Sequence, residues 1–261
     1  MFGKRYSFRQ LLKYRCLKKD MLKEFRDWSK GNPQKNFGAF YVEREAVKAK
    51  DQTSEHVSLG TNLNTGDFKK AGLDKYEKLK NWGLRERHVC VDYGCGSLRI
   101  GQHVIKALAP GHYYGLDITD QFFNIGKEML GQELIQQKKP QLSIIGDSVL
   151  DTIANRGVDY IFSNGVLIHV PPFELTNYFT KILSLLGPTT KLYIGMASYK
   201  ENLQISPMSW AYTQSHIQQQ ILSIDAQLNI EFLNFQDYSK STILGTKVIR
   251  RGTIFISRKP A

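Results

Sequence analysis

The chain between residues 88 and 196 alternates short apolar runs with amphipathic segments. Apolar runs of this length predict buried strands, and apolar residues at three- and four-residue spacing predict helices. A regular alternation of the two is typical of a parallel sheet with helices on both faces. We therefore expect an α/β core built from five βα steps. The predicted strands are 88–93, 112–117, 142–146, 158–163 and 190–196, and the predicted helices are 98–108, 120–138, 148–155 and 173–186.

The pattern changes after this core. A helix is predicted over Ser209 to Ala226, followed by two β-rich runs, Leu228 to Asp237 and Lys247 to Lys259. Two such runs in succession favour an antiparallel hairpin, which we expect to pair Asn229 to Phe235 with Gly252 to Arg258. This hairpin would bring the sheet to seven strands.

The first 75 residues precede the predicted core. Apolar residues from Ser7 to Trp28 recur at helical spacing between basic residues, and a further short helix is predicted within Lys35 to Lys50. Residues 51–75 are polar and contain glycine, which favours a loop. We expect a basic helical extension over residues 1–75 and the main domain over residues 76–261.

The net charge of the chain, +12, is concentrated in this extension. Residues 1–50 carry +9, whereas residues 51–261 carry only +3. A basic arm attracts anions such as nucleic acid, acidic lipid headgroups or a phosphorylated substrate. The same residues also suit the solvent-facing side of an amphipathic helix, so both interpretations stay open.

Membrane and secretion signals are not expected in this sequence. No apolar run is long enough to cross a membrane, and the N-terminus lacks the apolar stretch of a secretory signal. The three cysteines, Cys16, Cys90 and Cys95, are odd in number, which favours reduced packing residues. We therefore expect a cytoplasmic protein without an integral membrane segment.

A glycine turn, Asp92-Tyr-Gly-Cys-Gly-Ser97, follows the first predicted strand. Gly94 and Gly96 allow a tight turn and a close approach of the backbone to a ligand. Asp117, at the end of the second predicted strand, is placed to accept the two hydroxyls of a ribose. A nicotinamide or flavin site would require a third small residue where Arg99 stands. The pattern favours an adenosine-containing cofactor that is not a dinucleotide.

This glycine turn resembles motif I of the class I S-adenosylmethionine-dependent methyltransferases. Three further segments resemble later parts of the family pattern in the right order, namely Leu142–Ser148, Val158–Pro171 and Ile182–Ile194. The resemblance covers roughly Tyr76 to Lys259. It implies an α/β fold with the Rossmann-like seven-stranded sheet of that family, here preceded by the basic N-terminal helical extension. In this family the segment before the first strand often forms a lid over the cofactor.

The resemblance implies S-adenosyl-L-methionine as the cofactor. Asp117 corresponds to the ribose ligand and Asp147 to the acceptor of the adenine amino group. The backbone of Ser163 or Asn164 corresponds to the ligand of the ammonium end. Aspartates at strand ends also serve as helix N-caps, and that alternative stays open. The implied cofactor-binding residues are Asp92, Gly94, Cys95, Gly96, Asp117, Ile118, Asp147, Ser148, Ser163 and Asn164.

His169 is the candidate catalytic residue. It follows the fourth predicted strand in Val166-Leu-Ile-His-Val-Pro171, at the sheet edge where ligands gather in open α/β folds. A hydroxyl acceptor must lose a proton during methylation, and histidine is the usual base. A packing or orienting role for His169 is the alternative.

Two other methylation chemistries have their own residue patterns. Enzymes that methylate exocyclic amines of nucleic-acid bases generally carry Asn/Asp-Pro-Pro-Tyr/Phe after the fourth strand, whereas here Asn164 is followed by Gly165. Metal-dependent catechol-type enzymes need carboxylates there, whereas this strand ends in Phe162-Ser163-Asn164. We therefore expect no metal.

The resemblance also has implications for the acceptor. The motif sequence resembles that of a subgroup that modifies sugars, polysaccharides and small metabolites. This implies O-methylation of a small-molecule or carbohydrate acceptor. The segment from Ser198 to Tyr212, rich in aromatic residues, is expected to contact it. The alternatives are an RNA or protein methyltransferase, and a methyltransferase-fold binding protein whose basic arm holds nucleic acid or an anionic membrane. The sequence does not predict the oligomeric state.

Overall fold

The computed structural model describes residues 23–49, 66–206, 208–242 and 245–259. A seven-stranded sheet has the order β3-β2-β1-β4-β5-β9-β8, and a separate two-stranded sheet pairs β6 with β7. Strands β1 to β5 are parallel, and β9 lies antiparallel between β5 and β8. The strands are β1 Cys90–Tyr93, β2 Tyr113–Asp117, β3 Gln141–Ile144, β4 Tyr160–Ser163, β5 Lys191–Ser198, β6 Leu203–Ser206, β7 Ser209–Ala211, β8 Leu228–Thr242 and β9 Gly245–Arg258. The predicted Rossmann-like α/β fold is confirmed.

Helices connect the parallel strands. Single-turn 3-10 helices at Leu167–His169 and Pro172–Glu174 lead from β4 to the next α-helix, and residues 23–31 are also helical. The α-helices are α1 Phe37–Ala49, α2 Gly66–Asn81, α3 Gly101–Ala107, α4 Asp120–Leu130, α5 Gln132–Lys138, α6 Asp147–Ala154, α7 Leu175–Leu183 and α8 Gln214–Ile224.

Several predicted boundaries were wrong. The helix predicted over 120–138 is two helices, because Gly131 has a φ of 81° and interrupts the helical backbone. Helix α3 begins at Gly101 rather than at residue 98, so its N-terminus does not adjoin the glycine turn. The helix predicted from Ser209 begins at Gln214, where the Thr213 hydroxyl accepts from the His216 N–H and caps it.

The loop predicted over residues 51–75 was wrong for its described part. Residues 66–75 belong to α2, which runs across the expected boundary at residue 75. Phe68 is fully buried and Leu79 is almost so, which shows that packing against the core stabilises this helix. The rest of the predicted loop, residues 51–65, lies outside the described residues.

The hairpin predicted at the end of the chain is confirmed. Asn229 pairs with Ser257 and Phe232 with Ile254, within the predicted segments. Both strands extend beyond β5, which pairs with β9 only from Leu192 to Ser198. The outer part of the hairpin therefore projects past the carboxyl edge of the parallel strands.

Apolar side chains are buried on both faces of the sheet. Val91, Leu116 and Ile161 belong to one core cluster, and Cys90 and Tyr113 belong to the other. Strands buried on both faces are typical of a parallel sheet covered by helices. In open sheets of this kind, ligands bind at the carboxyl edge near the point where the strand order reverses, which here lies between β1 and β4.

The described part of the N-terminal extension packs on this edge. The ring of Phe25 stacks on Phe173 with centroids 5.4 Å apart, and Phe37 meets Trp210 edge-on at 6.0 Å. Several of its charges form ion pairs, namely Lys30 with Asp27, Lys35 with Glu43 and Arg44 with Glu24. Residues 1–22, with seven Lys or Arg and one Asp, lie outside the described residues.

Across the residues that the structure describes, no helix combines the length and apolar character needed to span a membrane.

Candidate functional site

A cavity of about 950 Å³ lies at the carboxyl ends of β1, β2, β4 and β5. The segment before α1 and the start of α1 cover it from one side, and α2 borders it on another. Its volume is near the upper end of the range for small-ligand pockets, about 300–1,000 Å³. The cavity is therefore large enough for a ligand of cofactor size with further space beside it.

The glycine turn after β1 forms the floor of this cavity. The N–H groups of Gly94 and Cys95 donate to the carbonyl of Leu116 on β2, at 2.7 and 2.9 Å. Gly94 has a φ of 84°, and a Cβ at this position would lie 2.1 Å from a methyl group of Val166. Only glycine fits this turn, which brings the backbone to the cavity surface.

The Asp117 carboxylate at the end of β2 is held by the same turn. One of its oxygens accepts from the Gly96 N–H at 2.7 Å, and the other accepts from the Ile118 N–H at 2.8 Å. Burial raises the pKa of Asp117 to about 6, although backbone N–H donors oppose that rise. These donors fix the orientation of the carboxylate, which lines the cavity and can accept a further donor there.

Asp92 is buried at the end of β1 and lines the deepest part of the cavity. The hydroxyl of Tyr113 donates to its carboxyl at 2.8 Å. Burial raises the pKa of Asp92 to about 8, and the nearby charge of Asp117 adds to that rise. Asp92 is therefore mostly uncharged at neutral pH, and Asp117 is the anionic member of the pair.

The end of β4 reaches the cavity through Asn164 rather than through Ser163. Ser163 is fully buried, and its hydroxyl accepts from the hydroxyl of Tyr178 at 3.0 Å, so its side chain belongs to the packing of α7. Asn164 follows it and lines the cavity.

Asp147 and Ser148 lie at the start of α6, outside the cavity lining. The Asp147 side chain is 87% exposed and forms an ion pair of 3.7 Å with Lys181, which does line the cavity. These two residues are therefore near the rim. Their contact with an adenine group stays a prediction.

His169 lies on the 3-10 turn after β4 and faces the cavity across from the glycine turn. Its Nδ1 is 2.6 Å from the carbonyl oxygen of Met208, and a carbonyl can only accept. Nδ1 therefore carries the hydrogen, and Nε2 is the basic nitrogen of the neutral ring. The ring of Tyr41 lies beside it, with centroids 6.2 Å apart.

Most of the residues predicted from the sequence come together here. Those that line the cavity are Asp92, Gly94, Cys95, Gly96, Asp117, Ile118, Asn164 and His169. Ser163, Asp147 and Ser148 are close to it without lining it.

The cavity also contains residues that the sequence did not single out. Phe37 and Tyr41 come from the N-terminal extension, and the Phe37 N–H donates to the Glu174 carboxylate at 3.0 Å. Lys75 on α2 and Arg251 on β9 add two cations. Hydrophobic periodicity marks the helix that carries Phe37 and Tyr41, but no local signal distinguishes Lys75 or Arg251 from other basic residues.

The aromatic residues expected to contact an acceptor have other roles. Trp210 and Tyr212 are buried in the core, and Tyr199 lies outside the cavity lining. From the segment Ser198–Tyr212, Ser206 and Ser209 line the cavity instead. Within the described ranges, no group of three or more His, Cys, Asp or Glu side chains is arranged to hold a metal ion.

Comparison with protein families identifies the central segment. Residues 91–192 match the family model described as a methyltransferase domain. This range contains the glycine turn, Asp117 and His169, but neither Lys75 nor Arg251. No curated protein matches the chain.

Solved structures share the fold at low sequence identity. A methyltransferase from Anabaena variabilis, described as dependent on S-adenosylmethionine, has a TM-score of 0.59 and 11% identity, over 87% of this chain and 96% of its own. The YcgJ protein from Bacillus subtilis has a TM-score of 0.53 and 11% identity, over 73% of this chain and all of its own. A Haemonchus contortus phosphoethanolamine N-methyltransferase has a TM-score of 0.50 and 12% identity, over 73% of this chain and 54% of its own. These likenesses establish the fold.

Proposed function

We propose that this chain is a methyltransferase of the class I superfamily, which binds S-adenosylmethionine and methylates a hydroxyl group of a small-molecule or sugar-related acceptor. The observation that carries the proposal is that one cavity brings together the Gly94–Gly96 turn, the Asp117 carboxylate and the His169 imidazole. The first two suit an adenosine-containing cofactor, and the third suits proton removal from an acceptor.

The residues of the cavity fit this cofactor. A Cβ at Gly94 would collide with Val166, so the turn leaves open a space that any other residue would close. Asp117 is fixed by backbone donors and lines the cavity as an acceptor, which suits the hydroxyl pair of a ribose. Ile118, about two-fifths exposed, provides an apolar wall next to it for a flat base.

The remaining cofactor contacts follow from position along the sheet edge. The methionine part is proposed to lie along the glycine turn, with its ammonium group at the backbone of Asn164. Arg99, which lines the cavity just after the turn, is proposed to bind its carboxylate. S-adenosylmethionine supplies an electrophilic methyl group on a sulfonium, so the protein has mainly to position the acceptor and exclude water.

His169 is proposed to act as the general base. The Met208 carbonyl fixes the ring and the tautomer, which leaves Nε2 as the nitrogen that accepts the proton of an acceptor hydroxyl. The same contact supports the alternative role, in which the fixed imidazole ring packs against the acceptor and orients it. The two roles differ in what happens to turnover when the imidazole is removed.

A cytoplasmic location belongs to the proposal. Cys90 and Cys95 are both buried and free, as in proteins of reducing compartments.

An anionic partner for the basic residues 1–22 is also proposed, on their charge alone. The segment from 36 to 41 has a different role, because it lines the cavity. Deletion of the whole arm to residue 50 should therefore impair cofactor binding.

An acceptor screen tests the proposed reaction. The full chain is incubated with methyl-labelled S-adenosylmethionine and with sugars, small phenols, lipids, RNA and protein as separate acceptor classes. We expect label in a hydroxyl compound of low molecular weight. Label only in RNA or protein would overturn the acceptor class, and label in no class would favour a binding protein over an enzyme.

A further inference from the structure

The cavity extends beyond the proposed cofactor contacts. Those contacts lie at the ends of β2, β1 and β4, whereas the cavity continues past β5 to β9, where Arg251 lines it. Arg251 is in register with Ala197 near the end of β5. At the usual spacing between strands, β9 is about 14 Å from β1. Arg251 is therefore on the acceptor side of the cavity.

The Arg251 guanidinium is oriented but not neutralised. Its central carbon lies 4.0 Å from the centroid of the Tyr238 ring, so the planar group is held against an aromatic face. None of the ion pairs and hydrogen bonds between described side chains involves this guanidinium. A stacked guanidinium keeps its N–H donors at its edge, where a carboxylate or phosphate binds in a bidentate manner.

Lys75 lines the same cavity from helix α2. Helix α2 packs closely on the segment after the glycine turn, since a Cβ at Gly72 would be 2.0 Å from the Arg99 carbonyl oxygen. Lys75 is three residues further along the helix, on the same face. A small side pocket places it beside Asn164 and Gly195, near the ends of β4 and β5.

The charges around Lys75 are mainly of its own sign. Although the residue as a whole is exposed, desolvation by nearby protein atoms lowers the pKa of Lys75, and the cations Lys78, Arg99 and Arg251 lower it further. Asp74 opposes these effects only weakly. No ion pair joins Lys75 to an acidic side chain in the described part of the chain.

The carboxyl groups of the cavity do not balance these cations. Asp92 is mostly uncharged, and Asp117 accepts from the backbone N–H groups of Gly96 and Ile118. Glu174 accepts from the Phe37 N–H and from the Asn177 amide, on the side of α1. The cofactor brings one carboxylate together with an ammonium and a sulfonium, so its binding adds positive charge.

We infer that the methyl acceptor carries an anionic group, a carboxylate or a phosphate, which binds Arg251 together with Lys75 in this cavity. The inference rests on the proposed function and names the class of acceptor. It makes Arg251 a specificity determinant, with the hydroxyl to be methylated lying between the anionic group and His169.

Binding of simple anions to the S-adenosylhomocysteine complex tests this site without knowledge of the acceptor. The full chain is saturated with S-adenosylhomocysteine, and inorganic phosphate or acetate is added at constant ionic strength while the melting temperature is followed. We expect one of the two anions to raise the melting temperature. Phosphate should do so if the anionic group of the acceptor is a phosphate, and acetate should do so if that group is a carboxylate. We expect Arg251→Gln to weaken this binding about tenfold.

Arg250→Gln is the matched control, because Arg250 is adjacent on β9 but pairs with Asp237 and with the Phe235 carbonyl. We expect this variant to respond to the anion like the wild type. An absent anion response in the wild type, or an equal response in the two variants, would overturn the inference. Failure of the wild type to bind S-adenosylhomocysteine would instead overturn the proposed function, so the two failures are distinguishable.

A second measurement uses turnover. Matched hydroxyl compounds with and without a carboxylate or phosphate are compared as acceptors, and the anionic member is expected to have a kcat/KM about tenfold higher or more. Arg251→Gln should remove this preference while S-adenosylmethionine affinity stays within about twofold. A preference that survives in Arg251→Gln contradicts the inference.

Discussion

The proposed cofactor half of the cavity, around Gly94, Gly96 and Asp117, and the proposed acceptor half, around His169 and Arg251, are built in different ways. In the cofactor half, groups at the ends of neighbouring strands hold one another: the Gly94 N–H donates to the Leu116 carbonyl, and the Gly96 N–H donates to the Asp117 carboxylate. In the acceptor half, side chains from distant segments meet, as when His169 contacts the carbonyl of Met208. The contacts of the first half join neighbouring strand ends of the sheet, whereas those of the second depend on how other segments pack on it.

This difference separates what the fold dictates from what is specific to this chain. Any sheet of this order places the ends of β1 and β2 side by side, so a glycine turn and an aspartate suffice for a cofactor site. The strand order does not dictate the acceptor half in this way, because β9, α2 and the segment around Met208 all lie outside the glycine turn and the strand ends that form the cofactor half. Substitutions in the two halves should therefore change different measured quantities.

The largest effect is expected in the acceptor half. His169→Ala should lower turnover about 10²–10⁴-fold while leaving S-adenosylmethionine affinity unchanged, because the imidazole removes a proton from the acceptor and not from the cofactor. Steady-state rates with the best acceptor from the screen measure the turnover, and calorimetric titration measures the affinity.

His112→Ala is the control for that substitution, since the His112 Nδ1 also lies against a carbonyl, that of Arg87 at 3.0 Å, away from the cavity. It should leave turnover near the wild-type value. If His169→Ala methylates the acceptor at the wild-type rate, the general-base role is wrong and His169 is a packing residue.

In the cofactor half, Gly94→Ala should weaken S-adenosylmethionine binding about tenfold or more. Its Cβ would lie 2.1 Å from Val166 in a backbone with a φ of 84°, so the turn must shift. Gly111→Ala is the matched control, because Gly111 has a φ of 78° with nothing within 4 Å. Both variants carry about 1 kcal/mol of backbone strain, which thermal unfolding measures. Equal affinity in the two would show that the turn does not contact the cofactor.

The pH dependence of cofactor affinity should report on Asp117. Because its pKa is raised to about 6, the carboxylate gains a proton as the pH falls from about 7 to 5 and accepts ribose hydroxyls less well. Affinity should therefore fall severalfold over this range. Asp92, with a pKa of about 8, is protonated throughout and contributes no change. Asp117→Asn should flatten the dependence, and an unchanged slope in that variant would assign the titration to another group.

The smallest effect is expected at the rim. Asp147→Asn should change S-adenosylmethionine affinity by less than about twofold, because the side chain is 87% exposed and an exposed ion pair contributes about 0–1 kcal/mol. Calorimetric titration measures this. A tenfold loss would support Asp147 as the ligand of the adenine amino group and extend the cofactor half to α6.

The sequence predicted the cofactor half because its signals are local. Gly94, Gly96 and Asp117 follow apolar runs directly, and the strand ends of a parallel sheet share one edge. The closing hairpin was equally visible in the β-rich runs around Phe232 and Ile254. Predictions of this kind need only the period of the apolar residues and a nearby turn.

The rest required tertiary information. The segment at the start of α2 contains Gly66 and Gly72, which lower helix propensity, yet burial of Phe68 keeps it helical. Ser209–Ala211 is a strand because it pairs with β6, and the local sequence pattern does not predict this pairing. Arg250 and Arg251 are adjacent arginines that the sequence does not distinguish. Only the structure of β9 shows that Arg251 lines the cavity and Arg250 does not.

The most direct test is a calorimetric titration of the wild type and of Asp117→Ala with S-adenosylmethionine. We predict a micromolar dissociation constant for the wild type, about 8 kcal/mol of binding free energy, and a loss of at least about tenfold in the variant, because the ribose hydroxyls lose a charged acceptor. Equal binding by the two proteins, or binding of NADH in place of S-adenosylmethionine, would contradict the assignment of this cavity.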